Sequence, residues 1–178
     1  KDRAMVNGEL LRSYYSGFNA NKFKAPVKGE IAFSLVIEDD ESILDEELAD
    51  QPAQYEIWDE TTEKFRPEHR WENVKTTLAD IDTSQIHFVK VPENRIVIDF
   101  DLKDEDGNKS LERNLEAASV WPPTYAEISK GGNGVHLHYN YEGDVHELSS
   151  NYSEGIEVKT LLGDASLRRR LTKCNNVP

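Results

Sequence analysis

Three segments of the chain alternate apolar residues with ionisable ones. They read IVIDFDLK from Ile96, GVHLHYNY from Gly134 and GIEVKT from Gly155. Successive side chains of a strand point to opposite faces of its sheet, so residues two apart share a face. If the segments are strands of one sheet, one face is apolar and the other carries six ionisable side chains. These are Asp99, Asp101, His136, His138, Glu157 and Lys159.

The acids of this face predict a metal site. Asp99 and Asp101 would repel each other, raising the pKa of at least one carboxyl group, unless a cation lies between them. Hard divalent ions such as Mg²⁺ and Mn²⁺ prefer oxygen ligands, so they suit Asp99, Asp101 and Glu157 better than zinc does. Two such ions about 3.5 to 4 Å apart could activate a 3′-hydroxyl and stabilise a leaving pyrophosphate. Each motif alone is weak, and the combination carries the prediction.

Together the three motifs resemble the archaeo-eukaryotic primase superfamily, in particular the primase-polymerases encoded by phages and plasmids. That family has an apolar strand ending in D-x-D, a Ser- and Gly-rich stretch closing on G-x-H before an apolar strand, and an acidic residue on a later strand. The corresponding stretches here are IVIDFDLK, SKGGNGVHLHY and GIEVKT. The resemblance covers roughly residues 86–178, and the first half of the chain carries no motif.

The resemblance implies template-directed nucleotidyl transfer, as in a DNA primase or DNA polymerase of phage or plasmid replication. Asp99, Asp101 and Glu157 would be the catalytic residues and would hold Mg²⁺ or Mn²⁺ in a two-metal site. His136 would contact the phosphates of the incoming nucleotide, and the glycines before it let backbone N–H groups approach a triphosphate. The remaining candidate nucleotide contacts are Ser129, Lys130, Asn133, His138 and Lys159. The third acid is Glu rather than the commoner Asp, and the loop before His136 is long.

The implied partners are a DNA template and primer, ribo- or deoxyribonucleoside triphosphates and, in a longer protein, a helicase or helical accessory domain. A basic cluster near the end of the chain is a candidate for contacts with template or nucleotide phosphates. It consists of Arg168, Arg169, Arg170 and Lys173. A solvated helix face is the alternative interpretation of this cluster, and the sequence leaves both open.

The charge of the chain is unevenly distributed. The formal net charge is -13, which by itself argues against a nucleic-acid partner. Residues 29–63, however, contain thirteen Asp and Glu and neither Lys nor Arg. The other 21 acidic residues match the 21 Lys and Arg, so this acidic segment carries the whole excess. We expect it to form a solvated surface.

Length and composition predict one globular domain in a cytoplasmic setting, that of a host cell if a phage or plasmid encodes it. No apolar run approaches the roughly 20 residues of a bilayer-spanning helix, and the start lacks the apolar core of a signal peptide. The single cysteine, Cys174, has no partner for an internal disulfide. Because the chain opens at Lys1 and its one methionine is Met5, we expect a piece of a longer protein.

The predicted fold is α/β (α+β), with a mixed, mostly antiparallel sheet, flanking helices, and the active site on the face away from them. Residues 86–178 would form an RRM-like catalytic core, and residues 1–85 an N-terminal subdomain containing the acidic segment. Periodicity predicts strands over 30–37, 54–58, 86–91, 95–102, 124–129, 135–141 and 156–161, with 86–91 and 95–102 joined as a hairpin. It predicts helices over 71–78, 110–119 and 165–173.

Two other functions compete with the polymerase. A PD-(D/E)xK-type metal-dependent nuclease is favoured by Glu157-Val158-Lys159, which reproduces E-x-K, with Asp99 or Asp101 as the upstream acid. That reading gives no role to the Gly-rich loop and His136. A non-catalytic interaction module would use the acidic segment to bind a basic partner, and it predicts no metal-dependent stabilisation.

Overall fold

The computed structural model describes residues 35–177 and the backbone of two N-terminal strands that pair with each other. The strands along the chain are β1 (Arg3–Val6), β2 (Glu9–Arg12), β3 (Ala53–Asp59), β4 (Lys64–Pro67), β5 (His87–Val89), β6 (Arg95–Phe100), β7 (Tyr125–Ile128), β8 (Val135–Asn140), β9 (Asn151–Ser153), β10 (Ile156–Thr160), β11 (Leu167–Arg169) and β12 (Cys174–Asn175). The helices are α1 (Ile43–Glu47) and α2 (Leu111–Ser119). Short 3-10 turns cover Trp71–Asn73, Leu78–Asp80 and Val145–Glu147.

A six-stranded sheet brings the three motif segments together. Its strand order is β12-β7-β8-β6-β10-β9, and neighbouring strands run antiparallel. The aspartate strand β6 therefore lies between the histidine strand β8 and the glutamate strand β10. The alternation in the sequence predicted all three strands, and the structure confirms them.

One face of this sheet is apolar and is covered by α2. The helix begins at Leu111, and the N-cap before it is Ser110, whose side chain accepts a hydrogen bond from the Arg113 N–H. Ala118 is buried against the sheet, with Leu111 and Leu115 packed beside it. On the sheet side the same core contains Ile96, Ile98, Phe100, Val135, Leu137, Tyr139 and Val158. The predicted helix over residues 110–119 is confirmed, as is its inward stripe.

A second, four-stranded sheet has the order β11-β5-β3-β4 and is also antiparallel. Its residues Ala53, Val89 and Leu167 share a core with Val97 and Tyr125, which belong to the other face of the six-stranded sheet. Part of the polar face is thus covered by this second sheet. The sheet draws strands from both sides of residue 86, the expected boundary between the two parts of the chain.

The α+β class and the mostly antiparallel pairing are confirmed, but three local predictions are wrong. Residues 71–78 contain no α-helix: a 3-10 turn at Trp71–Asn73 is followed by extended chain, and a second 3-10 turn, Leu78–Asp80, begins at the last of them. Residues 86–91 and 95–102 do contain strands, but β5 and β6 lie in different sheets and form no hairpin. Residues 165–173 contain strand β11 rather than a helix.

Packing explains the last of these errors. Pairing with β5 buries Leu167 and Arg169 on the inner face of the four-stranded sheet, whereas Arg168 points to its outer face. The expected strand over residues 30–37 falls mostly outside the described residues, and its last three residues form no strand. In the described part of the chain, no helix combines the length and apolar character needed to cross a bilayer.

A candidate active site on three neighbouring strands

The polar face of the six-stranded sheet carries a row of side chains in register. The Cα of Asp99 is paired with that of Glu157 on one side and with that of His136 on the other. His136 is paired in turn with Glu127 on β7. Directly paired residues of antiparallel strands point to the same face, so the four side chains form one line across the sheet. The sequence predicted three of its members, and Glu127 was missed.

Asp99 lies at the centre of this row and is paired with a histidine and a lysine. His136 Nε2 is 3.1 Å from Asp99 Oδ1, and Lys159 Nζ is 3.1 Å from Asp99 Oδ2. The Asp99 side chain is 17% exposed. Burial raises the pKa of Asp99, but the hydrogen bond and charge of His136, together with Lys159, outweigh it and lower the pKa to about 2. Asp99 is therefore ionised at neutral pH.

Asp101 follows the last residue of β6 and is tied to the neighbouring strand by its backbone. Its N–H donates to the Gly155 carbonyl oxygen at 2.7 Å, just before β10 begins. Its carboxylate lies 3.1 Å from Lys109 Nζ and is 44% exposed. Lys109 was not among the predicted site residues. Its only signal in the sequence is its place in a polar turn before the α2 N-cap.

The three predicted metal ligands share one face of the sheet but do not converge on one point. Asp99 faces Lys159, Asp101 faces Lys109, and Glu157 is exposed. Within the described residues, no group of three or more His, Cys, Asp or Glu side chains is arranged to hold a metal ion. The donor chemistry nevertheless fits a hard divalent cation, because all three are carboxylates and each keeps some exposure to solvent. Rotamer changes at Asp99 and Asp101, away from the lysines, would be needed.

The Gly-rich loop between β7 and β8 is held by its own hydrogen bonds. The Ser129 hydroxyl accepts from the Gly134 N–H at 2.9 Å, and the Ser129 N–H donates to the Gly134 carbonyl at 2.9 Å. Gly132 has a φ of 89°, in the region that favours glycine. A Cβ at Gly134 would lie 3.0 Å from the Phe100 carbonyl oxygen and 2.7 Å from Ser129 Oγ. The loop thus needs glycine where it passes closest to the end of β6.

Among the other predicted loop contacts, Asn133 is exposed and Lys130 is half-buried. Both side chains therefore have access to solvent. The Ser129 hydroxyl is engaged as an acceptor within the loop and keeps its proton for another partner.

His138 does not lie at an accessible position. Its side chain is 0% exposed, with Nε2 3.7 Å from Glu127 Oε1. Burial lowers the pKa of His138 to about 3, although the charge of Glu127 opposes this shift. The prediction that His138 contacts nucleotide is corrected here, because its side chain is fully buried.

Glu127 and Arg169 form an ion pair buried between the two sheets, each 1% exposed. Arg169 Nε donates to Glu127 Oε1 at 3.0 Å and Nη2 to Oε2 at 3.1 Å, a bidentate arrangement. Arg169 Nη1 also lies 2.7 Å from Asp45 Oδ1 on α1 and 3.2 Å from His87 Nε2 on β5. Burial raises the pKa of Glu127, but Arg169 outweighs it and lowers the pKa to about 2.

The predicted nucleic-acid-binding cluster is dispersed by this arrangement. Arg169 is enclosed between the sheets, so its prediction as a phosphate contact is corrected. Arg168 points to the outer face of the four-stranded sheet, where it pairs with Glu56 and lies over the Phe88 ring. Arg170 donates to the Lys130 carbonyl oxygen beside the Gly-rich loop. Lys173 is exposed. Of the four, Arg170 is the one that bonds to the Gly-rich loop.

The acidic segment is not simply a solvated surface. Three of its acids pair with arginines from the second half of the chain: Asp45 with Arg169, Glu47 with Arg95, and Glu56 with Arg168. Leu44 and Leu48 of the same segment are buried in the second core. The segment therefore contributes both charge and apolar packing to the fold.

Comparison with models of protein families, with curated proteins and with solved structures found no match.

Proposed function

We propose that the chain is the catalytic domain of a primase-polymerase, which joins nucleotides on a nucleic-acid template. The observation that carries the proposal is the in-register row in which Asp99 lies between His136 and Glu157. Two acids on paired strands, with a histidine beside them at the mouth of a glycine loop, provide groups for both metal and triphosphate. An interaction module would not require this combination.

In the proposed mechanism, Asp99, Asp101 and Glu157 would hold Mg²⁺ or Mn²⁺. When bound, such ions assist removal of the proton from the attacking 3′-hydroxyl and offset charge on the leaving pyrophosphate. Lys159 and Lys109 now neutralise the two aspartates. Released from the carboxylates, their ammonium groups would remain in the site as partners for phosphate oxygens.

The triphosphate would lie along the Gly-rich loop. His136, turned from Asp99, would donate to a phosphate oxygen, and Lys130, Ser129 and Asn133 would add further donors. Arg170 lies against the same loop through the Lys130 carbonyl and would contact template or nucleotide phosphates. The substrates would be nucleoside triphosphates and a primed DNA template, in the cytoplasm of a host cell. A helicase or helical accessory domain would be the partner in a longer protein.

One observation favours the second candidate, a PD-(D/E)xK-type nuclease. Glu157 is paired with Asp99 on the neighbouring strand, and Lys159 Nζ lies 3.1 Å from the Asp99 carboxylate. This is the set of two acids and a lysine that such a nuclease uses. The nuclease reading still leaves the glycine loop and His136 without a role, so we rank it second.

A gel assay separates the two activities. The protein is incubated with a labelled primer on a longer template, Mg²⁺ or Mn²⁺, and nucleotides, beside Asp101→Asn and Glu157→Gln. We expect the parent protein to extend the primer. In both variants the rate of extension should fall by at least about 100-fold, as is typical when charge stabilisation is removed from an active site. Glu116→Gln, an exposed change on α2, is the matched control and should extend normally.

The other outcomes are equally decisive. Shortening of the labelled strand with metal alone, abolished in the same variants, would support the nuclease and reject the polymerase. Extension that survives in Asp101→Asn and Glu157→Gln would show that these acids do not catalyse it. Unchanged strands with folded parent protein, under either metal, would count against both enzymes and leave the interaction module.

A further inference from the structure

A buried amide on α2 links the two loops that border the candidate site. Asn114 is 0% exposed. Its Oδ1 accepts a hydrogen bond from the Leu102 N–H at 2.7 Å, and its Nδ2 donates to the Asn133 carbonyl oxygen at 2.8 Å. One side chain thus contacts the chain after Asp101 and the chain before Gly134. No sequence motif drew attention to it.

These two contacts lie where the strand pairing has ended. The last paired residues of β6 and β8 are Phe100 and Val135. Beyond this pair, Asp101 is held to the other neighbour, through its N–H and the Gly155 carbonyl. On the side that faces the Gly-rich loop, the hydrogen bonds come from the Asn114 side chain and not from strand pairing. The amide therefore continues the link between the aspartate strand and the loop past the end of the sheet.

The position of Asn114 requires a side chain that both accepts and donates a hydrogen bond, as an amide does. The Asn114 side chain is fully buried, and its two hydrogen bonds are partly shielded from solvent. The Leu102 N–H needs an acceptor there and the Asn133 carbonyl needs a donor, because a polar group that is shielded from water and left unpaired is destabilising. Asn provides both from one planar group. A leucine of similar volume provides neither, and an ionised aspartate provides only the acceptor. Asn114 is on the helix face that contacts the sheet, so its position is fixed by the surrounding core.

We infer that Asn114 is a positioning residue, which holds the end of the aspartate strand and the Gly-rich loop at the separation that the reaction needs. The inference rests on the proposed function for its catalytic part. A metal on Asp101 and a triphosphate on the loop must lie within bonding distance of each other, so a shift of about 1 Å between these segments is costly for catalysis. Asn114 acts through these neighbours and touches no substrate.

The test has a structural readout that does not depend on activity. Amide hydrogen exchange is measured at Gly132 and Gly134 in the parent protein and in Asn114→Leu. Both amides are bonded within the loop, to the Ser129 carbonyl and hydroxyl respectively, and we expect them to exchange at least tenfold faster in the variant. Ala118→Gly weakens the same helix through greater backbone freedom and the loss of one buried methyl group. It leaves both hydrogen bonds of Asn114 in place, so it is the matched control.

Asn114→Asp is the second variant and tests the donor alone. At pH 8 its ionised carboxyl accepts from Leu102 but cannot donate to Asn133, whereas the protonated form can do both. Loop protection should therefore be low at pH 8 and return toward the parent value as pH falls, with protection at Leu102 retained throughout. This variant also decides the matter if Asn114→Leu does not fold.

Primer extension supplies the catalytic readout. Both Asn114 variants should show kcat reduced about 10- to 100-fold with the KM for the primed template unchanged, and Ala118→Gly should retain the parent kcat. If the loop amides exchange no faster in the Asn114 variants than in Ala118→Gly, Asn114 does not hold the Gly-rich loop to the end of the aspartate strand. Faster loop exchange with unchanged kcat would refute the positioning role. Absence of extension in the parent protein would refute the proposed function instead. The exchange data would still decide whether Asn114 links the two segments.

Discussion

Asp99 and Glu157 lie directly opposite each other on the antiparallel strands β6 and β10. Their carboxylates belong to one face, with Lys159 on the same strand as Glu157 and bonded to Asp99. A cation is thus placed where two acids would otherwise repel. The arrangement leads to a prediction on metal binding that is independent of any assay for extension.

Mn²⁺ should stabilise the protein against thermal unfolding, because a ligand that binds the folded state alone adds stability. The gain is about 2.7 kcal/mol when its free concentration is 100 times its Kd. Asp99→Asn and Glu157→Gln should abolish most of the shift in Tm, while Glu116→Gln should keep it. Equal shifts in all four proteins would mean that Mn²⁺ binds elsewhere. The measurement is a thermal melt over a series of Mn²⁺ concentrations.

Gly134→Ala should disrupt the loop that precedes His136. The added Cβ would lie 2.7 Å from Ser129 Oγ and 3.0 Å from the Phe100 carbonyl oxygen, and overpacking of this kind costs about 1 to 3 kcal/mol. Gly131→Ala is the control, since a Cβ there meets nothing within 4 Å. Gly134→Ala should lower both the free energy of unfolding, measured with urea, and the affinity for nucleotide. Gly131→Ala should change neither. Similar behaviour of the two variants would show that the approach to Phe100 is not restrictive.

Arg169→Met should be the most destabilising change in the basic cluster. It leaves Glu127 charged and buried without its bidentate partner, and breaking such a pair costs about 3 to 5 kcal/mol. Arg168→Met removes a more exposed pair with Glu56 and should cost about 1 kcal/mol or less. Urea denaturation of the two variants gives the comparison. A loss at Arg168 as large as that at Arg169 would contradict the assignment of Arg169 to the interior.

Acidification from pH 7 to pH 5 should destabilise the protein, because His138 is buried in its neutral form. The folded pKa of His138 is about 3, below the ordinary value of 6.5, so between these values the unfolded chain binds the proton and the folded protein does not. The contribution of His138 to the free energy of unfolding is fully present above pH 6.5 and is lost as pH falls toward 3. The expected loss from pH 7 to pH 5 is about 2 kcal/mol.

His138→Gln provides the comparison for this pH dependence. The substituted side chain does not titrate, so the difference in unfolding free energy between parent and variant should narrow by about 2 kcal/mol over the same range. His87, whose pKa is also lowered by burial, remains in both proteins and adds a common slope. Urea unfolding curves at a series of pH values measure this difference. A constant difference between the two proteins would show that His138 is not held neutral by burial.

The local pattern of the sequence was sufficient where one face of an element is apolar. Alternation predicted β6, β8 and β10, and with them the common face of Asp99, His136 and Glu157. A Ser cap and helical spacing predicted α2. The local pattern gave a wrong prediction over residues 165–173, because the spacing of Leu167 and Leu171 suits a helix as well as a strand. Pairing with β5 decided between them, and that contact joins residues far apart in the chain.

By itself the sequence determined which residues share a face, because side-chain direction in a strand follows from backbone geometry alone. It also determined the chemistry available on that face, namely carboxylates, imidazoles and a lysine. Only the tertiary structure decided which of these groups are accessible. The packing of the two sheets against each other buries His138 and Arg169 and leaves Glu157 exposed. Asn114 links two loops through hydrogen bonds that no local pattern marks. Burial and such contacts depend on which segments meet in space, and the order of residues along one strand contains no record of that.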